Sequence, residues 1–427
     1  MWARVFSYLQ PTPHNFMESP CIFIGRPDLE AQRRFFRLPL VCRRFRNVFN
    51  GHVELPRILV VQQNLSLPAW SGMKTWLQRH AAHLQSITSL CAIDETIEEV
   101  LALLAMYQSC LTSASVVINS SRQLAALGCL RHLTACTLQS RGHKRYPVQW
   151  LDVTPLQDLP SLRSLVLKNG CFSWTSPVVD LLSLSIFQCQ IRLCSLAMPL
   201  QKLFISESSI DGLGSRELST CHSLEHLTLI NCSAFSLADP YTGRQSLIST
   251  DLSELTGLKT LRLDFPAGQR KSLTMDWLYH LVHLEKLKLV HGSNLILSEG
   301  MGALCRLVSL SVDSTQRQPQ DNLRSSVPHT LFRFDWRKLR ALRHVEVSGD
   351  YVVDLRLLDL LTLKHLQHIT FEGHPLNRSS VSAFSIFMYR LAALRSDVHV
   401  EVHGAVDLLS DNMETIWDQY DANPSHP

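Results

Sequence analysis

Long hydrophobic runs are missing from this 427-residue chain. Its apolar stretches, Leu101 to Met106 among them, fall far short of the roughly 18 residues a membrane-spanning helix needs. The opening residues, MWARVFSYLQPTPHNF, hold no apolar segment of secretory length and no small-residue cleavage site, so export is not expected. Charge of one sign is scarce as well. The formal net charge is +4, less than nucleic-acid binders usually concentrate on one face, so charge does not name the partner. The 12 cysteines include no Cys-x-x-Cys pair, and no Cys or His spacing matches a zinc site. Without an export signal, these cysteines read as reduced thiols of a cytosolic or nuclear protein. Gly-x-x-x-x-Gly-Lys-Ser/Thr, Gly-x-Gly-x-x-Gly, Gly-x-Ser-x-Gly and His-Glu-x-x-His are all absent, so no cofactor and no catalytic residue is assigned. A Ser/His/Asp set assembled in space stays open, because such sets leave no local trace.

What the chain has in abundance is leucine at a recurring spacing. The pattern Leu-x-x-Leu-x-Leu, with Ile, Val or Phe allowed, starts at Leu162, Leu181, Leu200, Leu224, Leu258, Leu284, Leu307, Leu342 and Leu366. The intervals are 19, 19, 24, 34, 26, 23, 35 and 24 residues. Weaker copies start at Leu84, Leu111 and Leu133. Side chains alternate along a strand, so the fourth and sixth positions of each copy share one side and the fifth and seventh share the other. A single strand cannot bury its apolar side alone, whereas parallel neighbours stacked in register build a continuous core. This pattern resembles the leucine-rich repeat. The resemblance implies an α/β solenoid shaped as a horseshoe, with a parallel concave sheet and helices and turns on the convex side. Repeats are expected over 55–403, most clearly over 162–376, with insertions at 233–257 and 313–341.

Polar or thiol residues follow the last core position by three: Cys189, Ser208, Cys232 and Thr315. In the repeat family this place turns the chain and bonds backbone groups, and that reading is preferred here over metal or redox chemistry. Longer repeats are expected to carry convex helices capped by Thr274, Ser298 and Asp354. The open face is the candidate binding surface. On it, Phe187, Phe204 and Ile230 are apolar where the pattern exposes them, and Arg262 and Lys288 add positive charge. His226, His344 and His368 fall just before strand cores and read as exposed strand residues. The acidic segment 404–427 is expected to supply a capping helix over 406–420 and a fraying tail.

The amino-terminal segment 29–49, LEAQRRFFRLPLVCRRFRNVF, intersperses apolar groups with arginines, and Pro39 suits a helix start. RVFSYLQP at Arg4 to Pro11 resembles the first helix of an F-box, and RLPLVCRRF at Arg37 to Phe45 resembles its most characteristic stretch. Residues 1–50 are thus identified as a degenerate or truncated F-box-like helical segment, with an insertion at 12–27. The resemblance implies that Val5, Phe6, Leu9, Leu38, Leu40, Val41 and Cys42 face a Skp adaptor or pack the helices. It also implies a cullin scaffold beyond that adaptor and a protein substrate on the repeats, the chain itself being a monomer within a hetero-complex. The expected function is the non-catalytic substrate receptor of an SCF-type ubiquitin ligase. A stand-alone intracellular repeat scaffold or inhibitor is the alternative. Neither reading involves a membrane or nucleic acid.

Overall fold

The computed structural model describes residues 21–24, 58–61, 74–75, 77–78, 81–89, 94–107, 110–140, 150–174, 180–193, 199–211, 218, 220–232, 252–265, 273–292, 294–314, 329–373, 375 and 378–403. The chain divides into two compact units, Met1–Leu200 with Ser208–Gly212, and Gln201–Glu207 with Leu213–Pro427.

The first unit is built on a ladder of parallel strands. In spatial order these are β1 (Cys21–Ile24), β2 (Ile58–Val61), β3 (Ser86–Ser89), β4 (Ser113–Ile118), β5 (Ala135–Ser140), β7 (Ser164–Lys168) and β9 (Ser183–Phe187). A second parallel ladder runs β6 (Leu151–Asp152), β8 (Cys171–Trp174), β10 (Gln190–Leu193), β12 (Ser209–Asp211). Strands β3, β4 and β5 coincide with the weak repeats read at Leu84, Leu111 and Leu133. Strand β1, a Cys-Ile-Phe-Ile run, lies inside the stretch 12–27 read as an insertion, and it pairs in parallel with β2. Among the described residues, two helices with defined bounds connect strands in this unit. They are α1 (Asp94–Met106) and α2 (Ser121–Gly128), the latter opened by a capping box between Ser120 and Gln123.

The second unit repeats the plan. Its main ladder runs β11 (Lys202–Ser206), β13 (His226–Ile230), β14 (Thr260–Asp264), β16 (Lys286–Val290), β18 (Ser309–Asp313), β20 (His344–Ser348), β22 (His368–Glu372) and β23 (His399–His403), all parallel. Its second ladder runs β15 (Leu273–Thr274), β17 (Leu295–Leu297), β19 (His329–Phe332), β21 (Asp350–Val352). Helix α3 (Arg378–Leu394) connects β22 to β23. It brings Phe384 against Phe371 and Tyr351 at ring distances of 4.9 and 5.8 Å. Just beyond α3, Arg395 donates to the carbonyls of Leu361, Leu363 and Leu366 at 3.1, 2.8 and 3.2 Å, closing the preceding turn.

The repeat leucines pack as the pattern demands. Positions four and six, such as Leu165 and Leu167, Leu227 and Leu229, or Leu287 and Leu289, are at most 2% exposed. Six strands leave through a tight turn whose residue has a positive φ: Asn169, Gln188, Glu207 and Asn231 at 47–54°, and later Gly349 and Gly373. These turns bond repeat to repeat, Asn231 N–H to Asp264 O at 2.9 Å and Gly349 N–H to Glu372 O at 2.6 Å among them.

The expected convex helices are absent, and 3-10 turns take their place at Asp276–His280, Glu299–Ala303 and Leu355–Thr362. Thr274 belongs to β15 and Met275 holds the cap position of the turn that follows, while Ser298 makes no side-chain cap bond. Asp354 does cap, its carboxylate accepting from Arg356 N–H. The reason lies in spacing. Met275, Leu278, Leu281 and Leu284 recur every three residues, as do Met301, Leu304 and Leu307, and all are buried. A 3-10 turn, with three residues per turn, puts such a series on one side, where an α-helix would rotate it away.

Candidate binding surface

Alternation leaves the third, fifth and seventh positions of each strand on the open face of its ladder, and the burial of β7, β9 and β13 follows it strictly. Phe204 and Ile230, both half-buried, lie on neighbouring strands, their registers offset by two residues. Such diagonal pairs are close enough for large side chains to touch a common ligand. Phe187 belongs to the first unit. There Lys168 lies directly across from it in register, the ammonium 5.6 Å from the ring centre.

The two cations differ in what they have to offer. Arg262 is already engaged: its guanidinium donates to both carboxylate oxygens of Asp264, at 3.1 and 2.7 Å. That bond, ahead of all other causes, holds its pKa above the ordinary arginine value. Lys288, two strand positions past Lys286 on β16, has no carboxylate partner among the described residues. Several seventh and fifth positions that the pattern exposes are buried instead, namely Asp264, Val290, Ser311 and Ser348. The periodicity gave no sign of this, since it registers alternation within a strand and not what lies over it.

The turn residues behave structurally. Cys189 and Ser208 are buried, and the Ser208 hydroxyl accepts from Cys189 N–H at 3.1 Å. Cys232 donates its thiol to Ile205 O and Ile230 O at 3.4 and 3.3 Å. Burial pushes the Cys189 thiol up to about 11, far from the thiolate that metal or redox chemistry requires. Among the described residues, no group of three or more His, Cys, Asp or Glu is placed to hold a metal.

Sequence reasoning overlooked a row of imidazoles. His344, His368 and His399 occupy the same register on β20, β22 and β23. Their rings lie 5.1 and 5.5 Å apart, the first pair stacked and the second edge to face. The pattern exposes the first two; His368 is exposed while His344 is half-buried. Shared register is the signal that could have grouped them, and it needs the third strand to be recognised. The F-box-like positions Val5, Phe6, Leu9, Leu38, Leu40, Val41 and Cys42 lie outside the described residues, as do Thr315 and the segment 404–427.

No family model matches the chain, and no curated protein does. Among solved structures, it is similar to an internalin of Listeria monocytogenes, with 14% identity over 81% of this chain and 86% of that one and a TM-score of 0.44. It is also similar to a chain from an octameric complex of Latrophilin 3, Unc5D and the leucine-rich-repeat protein FLRT2, with 15% identity over 64% and 84% and a TM-score of 0.34. The leucine-rich-repeat architecture stands on the parallel ladders and buried leucines themselves.

Proposed function

We propose that this protein binds another protein on the open face of its strand ladder, as the substrate-recognition subunit of an SCF-type ubiquitin ligase. One observation carries the reading: an F-box-like RLPLVCRRF at Arg37 to Phe45 precedes a stack of leucine-rich repeats in the same chain. Support for the binding face comes from Phe204 and Ile230, apolar side chains left partly open on adjacent strands. Aromatic and aliphatic anchors flanked by polar positions are where protein interfaces concentrate their affinity. In this role Val5, Phe6, Leu9, Leu38, Leu40, Val41 and Cys42 engage the Skp adaptor, a cullin joins through that adaptor, and the repeats hold the target.

The test is co-expression of the full chain with a Skp adaptor. A stable complex in gel filtration is expected, lost when residues 1–50 are removed. A folded full-length chain that elutes apart from the adaptor overturns the ligase role. It leaves a stand-alone repeat scaffold or inhibitor, for which the open face is the whole of the function. For that face, Phe204→Ala with Ile230→Ala is expected to remove most cross-linked partners, and an unchanged partner set would eliminate it.

A further inference from the structure

Three imidazoles in contact across adjacent strands have a chemistry that no structural role requires. Neutral rings at 5.1 and 5.5 Å pack favourably, whereas protonated rings at that distance repel one another, well inside the screening length of about 8 Å at physiological ionic strength. Histidine is the side chain whose charge changes in the mildly acidic range. We propose that His344, His368 and His399 form a proton-sensitive latch that holds β23 onto the ladder at neutral pH and loosens it on acidification. The inference stands whether or not the face binds a partner.

The surroundings set the direction. On the β20 side, Arg343 flanks His344, and Lys286 of β16 contributes further positive charge. His344 accordingly sits below the ordinary imidazole value, with burial the largest cause, then His368, Arg343 and Lys286. Negative groups are present too. Glu346, Glu372 and Glu401 share this face, Glu372 accepting from the Ser348 hydroxyl at 3.3 Å and Glu401 lying 3.1 Å from His399 Nε2. His403 ends β23, and Asp397 before it is tied to Arg395 at 2.9 Å. The carboxylates sit at the ends and flanks of the row, so none separates one ring from the next.

A base whose folded pKa is lowered leaves the unfolded chain binding more protons. The stability that neutral His344 contributes is therefore fully present above about pH 6.5, the unfolded value, and is lost as pH falls from there through the folded value. Strand β23 is the element to give way, because it joins the row only through His399 against His368, at 5.5 Å. Its burial pattern is exposed and half-buried throughout, so Val400 and Val402 offer it little apolar anchorage.

The experiment is amide hydrogen exchange on the full chain at pH 7.5 and 5.5, corrected for intrinsic exchange. Protection of the β23 amides is expected to fall severalfold on acidification, as charge repulsion between the rings opposes the pairing. His368→Gln and His368→Phe each remove the central charge at an exposed position. In both variants the ratio between the two pH values is expected to shrink below about twofold, the remaining rings being too far apart to couple strongly. A purely structural row would lower protection in His368→Gln equally at both pH values. That outcome, or wild-type protection that does not change with pH, overturns the latch.

Discussion

At the scale of single residues, the turns after β7, β9, β11, β13, β20 and β22 show how one backbone conformation constrains chemistry. Asparagine, glutamine and glutamate tolerate the left-handed region at some cost, and glycine occupies it freely. Gly373 is the extreme case, with φ at 134° and a Cβ position that would run into the carbonyl oxygen of Gly349. Gly373→Ala is expected to destabilise the protein by about 2 kcal/mol or more, from strain and collision together. Urea denaturation measures it, and a loss within a few tenths would contradict the account. Cysteines give a second test. Burial holds Cys136 at about 12 and Cys189 and Cys221 at about 11, while Cys110, Cys129 and Cys305 are exposed. Iodoacetamide at pH 8 should therefore label the exposed three quickly and the buried three only on unfolding, which peptide mass spectrometry can follow. Rapid native labelling of Cys189 would reopen a reactive role for the turn.

At the scale of elements, the strands were legible in the sequence and their connections were not. Leu-x-x-Leu-x-Leu placed β7, β9, β11, β13, β14, β16, β18, β20 and β22, because a two-residue period admits only one arrangement against a parallel neighbour. The convex segments were read as helices because helix caps and leucines were present, although the leucines recur every three residues and a 3-10 turn follows from that interval. The second ladders escaped notice altogether. Strands of two to four residues, such as β6 and β15, carry too little pattern to be seen alone and exist only because a neighbouring repeat offers them backbone partners. Core and open positions on one strand should respond very differently to truncation. Leu287, 1% exposed between Leu261 and Leu310 in the ladder, is expected to cost about 2–5 kcal/mol as Leu287→Ala. Its neighbour on the open face, as Lys288→Ala, should stay within about 0.5 kcal/mol. Equal costs would mean the two faces have been assigned wrongly.

At the scale of the whole molecule, a stack of repeats gathers stability from contacts between nearest neighbours. Leu165 on β7 is flanked by β5 and β9, and Leu287 on β16 by β14 and β18, so the two share no strand. The costs of Leu165→Ala and Leu287→Ala are therefore expected to add to within about 0.5 kcal/mol in the double variant, as for sites without common partners. A larger coupling would show that the repeats do not act locally. By itself the sequence determined that leucine-bearing strands recur, which face of each is buried, and that small polar or thiol side chains close the turns. Those are consequences of alternation and of burying apolar surface, both written into residue order. Tertiary structure alone decided that Arg262 is engaged by Asp264, that Ser311 and Ser348 lose their exposure, and that three histidines on successive strands meet in a row. Such facts depend on which strands become neighbours and what lies over them, and no local period carries that information.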